Sequence, residues 1–173
     1  MKTRKGYLLL ESIISLFIII TISLSLYSFL FFSNKYKKII EDNIELYEQG
    51  EEMCYQINKT IENSDGIISV RDISGNTIYG DTSSYIKINS IKCKYKNEYR
   101  NIKDKEISYK SNKKLFINTL NYNGSSEAGG YEIGDYIEFI SVHIQKNKVS
   151  IKLNLSKNDE QYETIFKSYI KDF

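Results

Sequence analysis

An uncharged run of 22 residues, 12–33, limits most strongly what this chain can fold into. The run consists mainly of Ile, Leu, Phe and Ser and contains neither Pro nor Gly. As an α-helix rising 1.5 Å per residue it would be roughly 33 Å long, and the hydrocarbon core of a bilayer is about 30 Å thick. The run therefore predicts a membrane-spanning helix.

Glu11 does not suit a plain membrane anchor, because it lies at the apolar start of this span, four residues after Tyr7. A carboxylate costs up to about 3 kcal/mol at the centre of a span and less near an end, so it is a functional candidate by default. Cleavage between Gly6 and Tyr7 would create an α-amino group with a pKa of about 8, one helical turn from Glu11. Such an amine, in the same chain or in a neighbour, would pair strongly with the carboxylate at low dielectric. Cleavage would also remove the basic leader side chains, Lys2, Arg4 and Lys5.

The order of these features resembles the type IV prepilin family: a short basic leader, Gly6, Tyr7, Glu11 and then the long apolar run. The resemblance implies that a membrane-embedded aspartic prepilin peptidase cuts after Gly6 and methylates the new amine of Tyr7. It also implies that Glu11 pairs with the N-terminus of a neighbouring subunit during assembly by a cytoplasmic ATPase and a polytopic membrane platform. Tyr7 departs from the Phe that is commonest there, and the chain lacks the proline that many major pilins carry in this helix.

An uncleaved signal anchor that merely tolerates Glu11 is the alternative for this segment. A conventional secretory signal peptide is disfavoured, because the apolar run exceeds the usual h-region and no small-x-small cleavage site follows it. A lipoprotein is excluded, since neither cysteine lies near the end of the segment. Basic residues flank the span on both sides, so a cytoplasmic N-terminus is predicted from the very short leader and the resemblance rather than from the positive-inside rule.

Residues 34–65 predict the amphipathic second half of the same helix. An apolar stripe recurs at steps of three, four or seven among charged residues: Tyr36, Ile40, Ile44, Tyr47, Cys54, Ile57 and Ile61. Gly50 lies on the stripe, where it either lets a strand approach closely or weakens the helix. A stop is expected at Ser64-Asp65-Gly66, with Gly66 in a left-handed cap. The two halves together would form one helix of roughly 85 Å.

After Gly66 the apolar period changes to two, which predicts antiparallel strands. A hairpin apolar on one face is expected over 136–155, turning at Lys146-Asn147-Lys148. A bulge is expected near Asn89-Ser90. The glycine-rich residues 121–135 are interpreted as a mobile surface loop, since they lack a Gly-Lys-Ser/Thr phosphate motif. The tail fits a strand or a helix, and the resemblance favours a strand. The other expected strands are 67–70, 77–79, 85–95, 106–109 and 115–120.

Little else in the sequence points to chemistry. Cys54 and Cys93 have no second Cys or His at metal-ligand spacing. They would form a disulfide if their Cα atoms came within roughly 7 Å, and we prefer two separate buried thiols. His143, the only histidine, is expected on the polar side of its strand without an acidic partner at ligand spacing. No nucleophile elbow, paired-carboxylate motif or nucleotide loop is present, so neither enzyme activity nor a cofactor is expected. The 24 basic and 22 acidic residues nearly balance, so nothing in the charge predicts nucleic-acid binding.

The sequence thus predicts an α+β, type IV pilin-like fold in which one long N-terminal helix packs on an antiparallel β-sheet. The expected divisions are a leader (1–6), a transmembrane and assembly helix (7–33), the amphipathic half of that helix (34–65) and a globular β head (66–173). The head is expected outside the inner membrane and later in a cell-surface filament. Expected partners are other pilin subunits through the N-terminal helix, prepilin peptidase, the assembly machinery and the membrane.

The expected function is that of a minor pilin or pseudopilin in a type IV pilus or related filament. The minor assignment follows from the unbroken helix, the lysine-rich head with two cysteines and the irregular strand pattern. The retained Glu11 argues against tip-type minor subunits that lack this residue. The alternatives are a competence or type II secretion pseudopilin, and a single-pass anchored extracytoplasmic binding domain that does not assemble.

Overall fold

A computed structural model describes residues 3–95, 103–121, 123–127 and 129–170, with side-chain surroundings from Tyr7 onward. The chain forms two compact units, Met1–Glu41 and Asp42–Phe173. One helix, α1, covers Thr3–Glu62. The strands are β1 (Gly66–Asp72), β2 (Thr77–Ile78), β3 (Ile86–Lys94), β4 (Lys105–Lys110), β5 (Lys114–Thr119), β6 (Tyr131–Gly134), β7 (Ile137–Gln145), β8 (Lys148–Lys157) and β9 (Glu160–Tyr169).

Within the described residues, these nine strands form a single sheet in the second unit, and every pairing among them is antiparallel. The order is β6-β5-β4-β3-β7-β8-β9, with β1 paired to β3 and β2 paired to β1. Strand β3 organises the sheet, since it pairs with β1, β4 and β7. The predicted fold class is confirmed: one long N-terminal helix and an antiparallel sheet in an α+β arrangement.

The strand pattern was largely predictable, including the irregularity in β3. Arg71 pairs with Ser90 and Asp72 with Ile88, so Asn89 is the extra residue of the predicted bulge. A bulge exchanges the faces on which successive side chains lie, and so Ile88 before it and Ile91 after it are both buried. The hairpin over 136–155 is also present as β7 and β8. The tail forms β9, which pairs with β8 over its whole length.

The prediction that 121–135 is a surface loop is wrong in its last part. Tyr131–Gly134 forms β6, which pairs with β5. In this pairing Leu115 of β5 lies opposite Gly134, and Ile117 lies opposite Tyr131. Gly134 is buried, and a Cβ atom on it would lie 2.5 Å from Cγ of Met53. This glycine therefore serves close packing of the sheet edge against α1, whereas the glycine count suggested only mobility.

The face of α1 that packs on the sheet differs from the predicted stripe in its first half. Ile57 and Ile61 are buried as predicted, but Ile44 and Tyr47 are 51% and 54% exposed. Tyr36 and Ile40, in the first unit, are also more than half exposed. The buried apolar side chains of α1 in the second unit are Leu46, Met53, Ile57 and Ile61, all at 1% exposure or less.

Two contacts account for this rotation of the helix face. Asp42, Leu46 and Gly50 follow one another at steps of four and so share one side of α1. Asp42 is held by Lys157, at the end of β8. Gly50 admits β9, because a Cβ atom there would lie 2.5 Å from Cε1 of Tyr162. Close strand approach, one of the two interpretations of Gly50, is therefore what the structure has.

Helix α1 ends at Glu62, near the predicted stop, but the predicted role of Gly66 is wrong. The backbone N–H and the hydroxyl of Ser64 both donate to the carbonyl of Ile61, at 3.0 and 2.6 Å. Gly66 is instead the first residue of β1 and pairs with Lys94, and its φ is not positive. The serine hydroxyl satisfies a terminal carbonyl of the helix, so a left-handed glycine is not needed.

Candidate functional site

The first unit presents an apolar helix surface that no described residue buries. Every large apolar side chain from Tyr7 to Phe32 is between 48% and 70% exposed. By length and composition this helix suffices to cross a membrane, with a mean hydropathy of 2.4 in its most apolar window. Apolar surface of this extent is stable only against lipid or the apolar surface of other molecules.

Three hydroxyl groups within this helix bond to its own backbone. Each donates to the carbonyl four residues earlier at 2.8 to 2.9 Å: Ser12 to Leu8, Thr21 to Phe17 and Ser28 to Leu24. Because the bonds are internal, these side chains cost little in an apolar surrounding. Ser12, Thr21 and Ser28 are thus compatible with the predicted transmembrane segment.

Glu11 is the only charged residue between Tyr7 and Asn34, and its side chain is exposed. Its carboxylate has no ion pair within the part of the chain that the structure describes. Tyr7 and Glu11 lie four residues apart in α1 and therefore on the same side of the helix. A cation placed beside Tyr7 would be one turn from the carboxylate.

The leader is largely outside the described residues. Lys2 is not described, and of Arg4, Lys5 and Gly6 only the helical backbone is. The predicted cleavage between Gly6 and Tyr7, the methylation of Tyr7 and the pairing of Glu11 with a neighbouring subunit stay predictions.

A polar cluster that sequence reasoning missed joins α1 to the sheet within the second unit. Lys157 Nζ lies 2.9 Å from Oδ1 of Asp42 and also pairs with Glu45. Asn158 donates to Oδ2 of Asp42 at 2.7 Å, and the Tyr136 hydroxyl donates to Glu45 at 2.8 Å. We name these five residues the helix clasp. Asp42 is only 6% exposed, so its charge depends on this pairing.

The charges in the helix clasp stabilise one another. Hydrogen bonds from Lys157 and then from Tyr136 lower the pKa of Glu45. Hydrogen bonds to Glu45 and then to Asp42 raise the pKa of Lys157. Both shifts favour the charged forms, as expected for an ion pair. In the sequence, Asp42 and Glu45 are two acids among many on α1, and no local pattern separates them from their exposed neighbours.

Both cysteines are free thiols. Cys93 is buried in β3, and Cys54 is half-buried on α1 with its sulfur 3.9 Å from the Thr164 hydroxyl. Burial raises the pKa of Cys54 to about 11 and that of Cys93 to about 12. Thiols held in the protonated form are poor nucleophiles. The structure thus has two separate thiols and not the disulfide that was left open.

His143 lies where it was predicted, on the polar side of β7. Its Nδ1 is 3.1 Å from the hydroxyl of Thr82, and its ring centroid is 5.6 Å from that of Tyr85. In residues 3–95, 103–121, 123–127 and 129–170, no three or more His, Cys, Asp or Glu side chains come together as metal ligands.

A cavity of about 410 Å³ lies on the outer face of β4 and β5. Its polar groups bond to one another: Asn118 donates to the Ser108 hydroxyl at 2.8 Å, and Ser126 donates to Glu106 at 3.0 Å. The ammonium group of Lys110 lies 4.1 Å above the ring centroid of Phe116, a further lining residue. The cavity has the size of a small-molecule site, but its groups are engaged internally.

Comparison with known protein families, curated proteins and solved structures finds no match to this chain. The architecture itself, an apolar N-terminal helix whose continuation packs on an antiparallel sheet, is compatible with a pilin-like fold.

Proposed function

We propose that this chain is a minor pilin or pseudopilin, processed after Gly6 and incorporated into a type IV pilus or related filament. One observation carries the proposal: an exposed apolar helix holds a single carboxylate, Glu11, four residues after Tyr7. A simple anchor needs no charge at that depth, and a carboxylate there is costly without a partner.

The proposed role of cleavage is to supply that partner. Before cleavage the basic leader keeps the N-terminus at the membrane surface. Afterwards the α-amino group of Tyr7 carries positive charge at neutral pH, within one helical turn of Glu11. The amine of one subunit and the Glu11 carboxylate of its neighbour then attract each other inside an apolar bundle, where charges are weakly screened.

In this proposal the apolar helix is covered in two different environments, the membrane and the filament. In the membrane, lipid covers the exposed side chains between Tyr7 and Phe32. In the filament, the same side chains pack against those of other subunits, so the exposed surface is never left in water. The head remains outside the membrane, and residues 42–62 of α1 pack on its sheet.

Analysis of the mature N-terminus tests the proposal. The full chain is expressed with and without a prepilin peptidase, and the membrane-bound product is examined by N-terminal sequencing and intact mass. We expect a product that begins at N-methylated Tyr7 only when the peptidase is present. Retention of Met1 on surface-exposed protein would contradict the proposal.

A Gly6→Leu variant serves as the matched control, because a bulky residue at the cleavage position leaves the apolar helix unchanged while blocking the cut. The variant should still insert into the membrane but should keep its leader. Loss of membrane insertion in this variant would mean that Gly6 is required for insertion itself and not only for cleavage.

A single-pass anchored binding domain is the second candidate, and the cavity on β4 and β5 is the observation that favours it. An uncleaved chain that still reaches the cell surface would support this candidate. Within the pilin class, deletion phenotypes separate the systems: loss of surface pili, of DNA uptake or of protein secretion would indicate a pilus, a competence or a type II secretion role, respectively.

A further inference from the structure

Strand β9 is a long edge strand. Among the described residues it pairs only with β8, over all ten of its residues and without a register shift. The N–H of Ile170, just after β9, donates to the carbonyl of Asn147, just before β8. This bond extends the ladder between β8 and β9 by one pair. Because such bonds alternate along an antiparallel ladder, the even-numbered residues of β9 point their backbone groups at β8. The odd-numbered residues, Gln161 to Tyr169, therefore point theirs at the open edge.

The same odd-numbered residues carry their side chains on the outer face of the sheet. All of them are exposed, and Ile165 and Tyr169 are 51% and 66% exposed. No proline or bulge interrupts the edge, and β9 is much longer than β6, the four-residue strand at the other end of the sheet. Its charged outer side chains, Glu163 and Lys167, lie two residues on either side of Ile165. An unpaired edge of this length is a template for another strand.

We propose that β9 pairs with β9 of a second copy of this chain, antiparallel about a two-fold axis at Ile165. In this register Glu163 lies opposite Lys167 of the second copy, and the symmetric contact repeats the pair. Gln161 lies opposite Tyr169. Since each of these residues points its backbone groups at the open edge, the five residue pairs exchange about ten hydrogen bonds. The interface is isologous, the same surface contributing from both copies.

Charge selects this register over its neighbours. A shift of the axis to residue 164 or 166 keeps the backbone pattern but sets Glu163 against Ile165 or Tyr169. Axes at Glu163 or Lys167 place like charges directly opposite, which is destabilising. The Ile165 register is the one that joins both charged pairs and overlaps the whole strand.

Both charged groups are available on the outer face. Lys167 has no ion pair or hydrogen bond to its side chain within the described residues. Glu163 accepts from Lys152 at 2.7 Å and from Asn154 at 3.2 Å, which fixes its carboxylate on that face. A carboxylate has about four acceptor positions, so it can also accept from Lys167 of the second copy.

This contact differs from the one proposed between subunits of a filament. A two-fold axis perpendicular to the sheet makes residues 42–62 of the two copies run in opposite directions. Subunits within one polar filament all run the same way, so strand pairing of this kind joins unassembled chains or separate filaments. The inference therefore does not depend on processing after Gly6.

Cysteine cross-linking of the full chain in detergent tests the register. Opposed residues of a hydrogen-bonded pair have Cα atoms about 5.5 Å apart, within the roughly 4.4–6.8 Å that a disulfide requires. Ile165→Cys should therefore form a covalent dimer under mild oxidation. Gln161→Cys is the matched control, because residues 161 of the two copies would be roughly 26 Å apart at 3.3 Å per residue. The unmodified chain controls for Cys54 and Cys93. Equal cross-linking of Ile165→Cys and Gln161→Cys, or none, would overturn the proposal.

Charge reversal tests the pairing itself by analytical ultracentrifugation. Lys167→Glu places like charges opposite each other twice and should raise the dimer dissociation constant at least tenfold. Lys148→Glu, one strand inward, should leave it unchanged. An equimolar mixture of Lys167→Glu and Glu163→Lys chains should dimerise again, because each mixed pair is complementary. If Glu163→Lys does not fold, the comparison of Lys167→Glu with Lys148→Glu decides alone. A monomeric parent chain, or an unchanged Lys167→Glu, would refute the pairing.

Discussion

The ammonium nitrogen of Lys157 lies 2.9 Å from Oδ1 of Asp42, and this contact ties the turn between β8 and β9 to the first residue of the second compact unit. Asn158 in the same turn has a positive φ of 53° and donates to the other oxygen of Asp42. The turn is thus shaped around one nearly buried carboxylate. Loss of the cation would leave that carboxylate uncompensated, which is costly.

We expect Lys157→Met to lower the melting temperature of the full chain in detergent by several degrees. The change leaves the nearly buried Asp42 without its cation and removes the ion pair of Glu45. Lys37→Met is the matched control. Lys37 pairs with Glu41 at 3.7 Å, but both side chains are well exposed, at 73% and 63%, and such pairs add little stability. Circular dichroism on both variants provides the measurement. Equal shifts in melting temperature would contradict a structural role for the helix clasp.

The helix clasp should also make stability depend on pH. The pKa of Glu45 in the folded chain lies below its ordinary value of 4.5, because Lys157 and then Tyr136 hydrogen-bond to the carboxylate. A lowered folded pKa stabilises the fold above the unfolded pKa, and that contribution is lost as pH falls through the folded value.

The difference in melting temperature between the parent and Glu45→Gln should therefore be largest above about pH 4.5 and should shrink on acidification. Glu48→Gln, at an exposed acid on the same helix, is the matched control and should change the melting temperature little. A Glu45→Gln difference that is constant across this pH range would refute the prediction.

Gly50→Ala should destabilise the chain even though alanine is the better helix former by about 1 kcal/mol. The added Cβ would meet the ring of Tyr162 at 2.5 Å, and overpacking of this kind costs about 1–3 kcal/mol. In a Tyr162→Ala background the same change should become stabilising, because the ring is gone. Denaturant unfolding of the four chains in this cycle provides the measurement, and additive effects would show that the ring is not the cause.

The orientation of α1 against the sheet can be tested with two truncations. Met53→Ala should cost about 2–5 kcal/mol, because its side chain is fully buried against β6. Ile44→Ala should change the free energy of unfolding by less than about 0.5 kcal/mol, since Ile44 is 51% exposed. If Ile44 were buried, as the sequence predicts, Ile44→Ala would lower the free energy of unfolding by a large amount. The two values therefore distinguish the two helix faces.

Glu11→Ala should leave leader cleavage and membrane insertion intact but prevent incorporation into filaments, because the partner for the new amine of Tyr7 is lost. Glu41→Ala, outside the apolar segment, is the control and should assemble normally. Filament fractions sheared from cells and probed with an antibody to the head report incorporation. Normal assembly of Glu11→Ala would mean that pairing with the mature N-terminus is not required.

Most of the fold could be predicted from the sequence because its signals are local. Three signals each define an element within a few residues. They are the 22-residue uncharged run, the period-two pattern of β7 and β8, and the change of apolar face at Asn89. Strand β6 was missed because it is short and follows a glycine-rich stretch, and because its Gly134 packs against Met53, far away in the sequence.

The helix face was predicted only in part for a similar reason. Counting apolar residues placed Ile44 and Tyr47 inside, whereas the buried face includes Asp42 and Gly50. A buried acid and a glycine lower the apparent hydrophobicity of the face they occupy. Only their long-range partners, Lys157 and Tyr162, explain why that face is turned inward.

The position of Asp42 has a mechanical consequence. Any tension that reaches the head along the preceding helix enters the compact unit at this residue, where Lys157 and Asn158 hold it. The load is then shared with the strand turn before it reaches the apolar contacts of Leu46 and Met53. Under pulling, we therefore expect the helix clasp to open before the apolar contacts of Leu46 and Met53 separate.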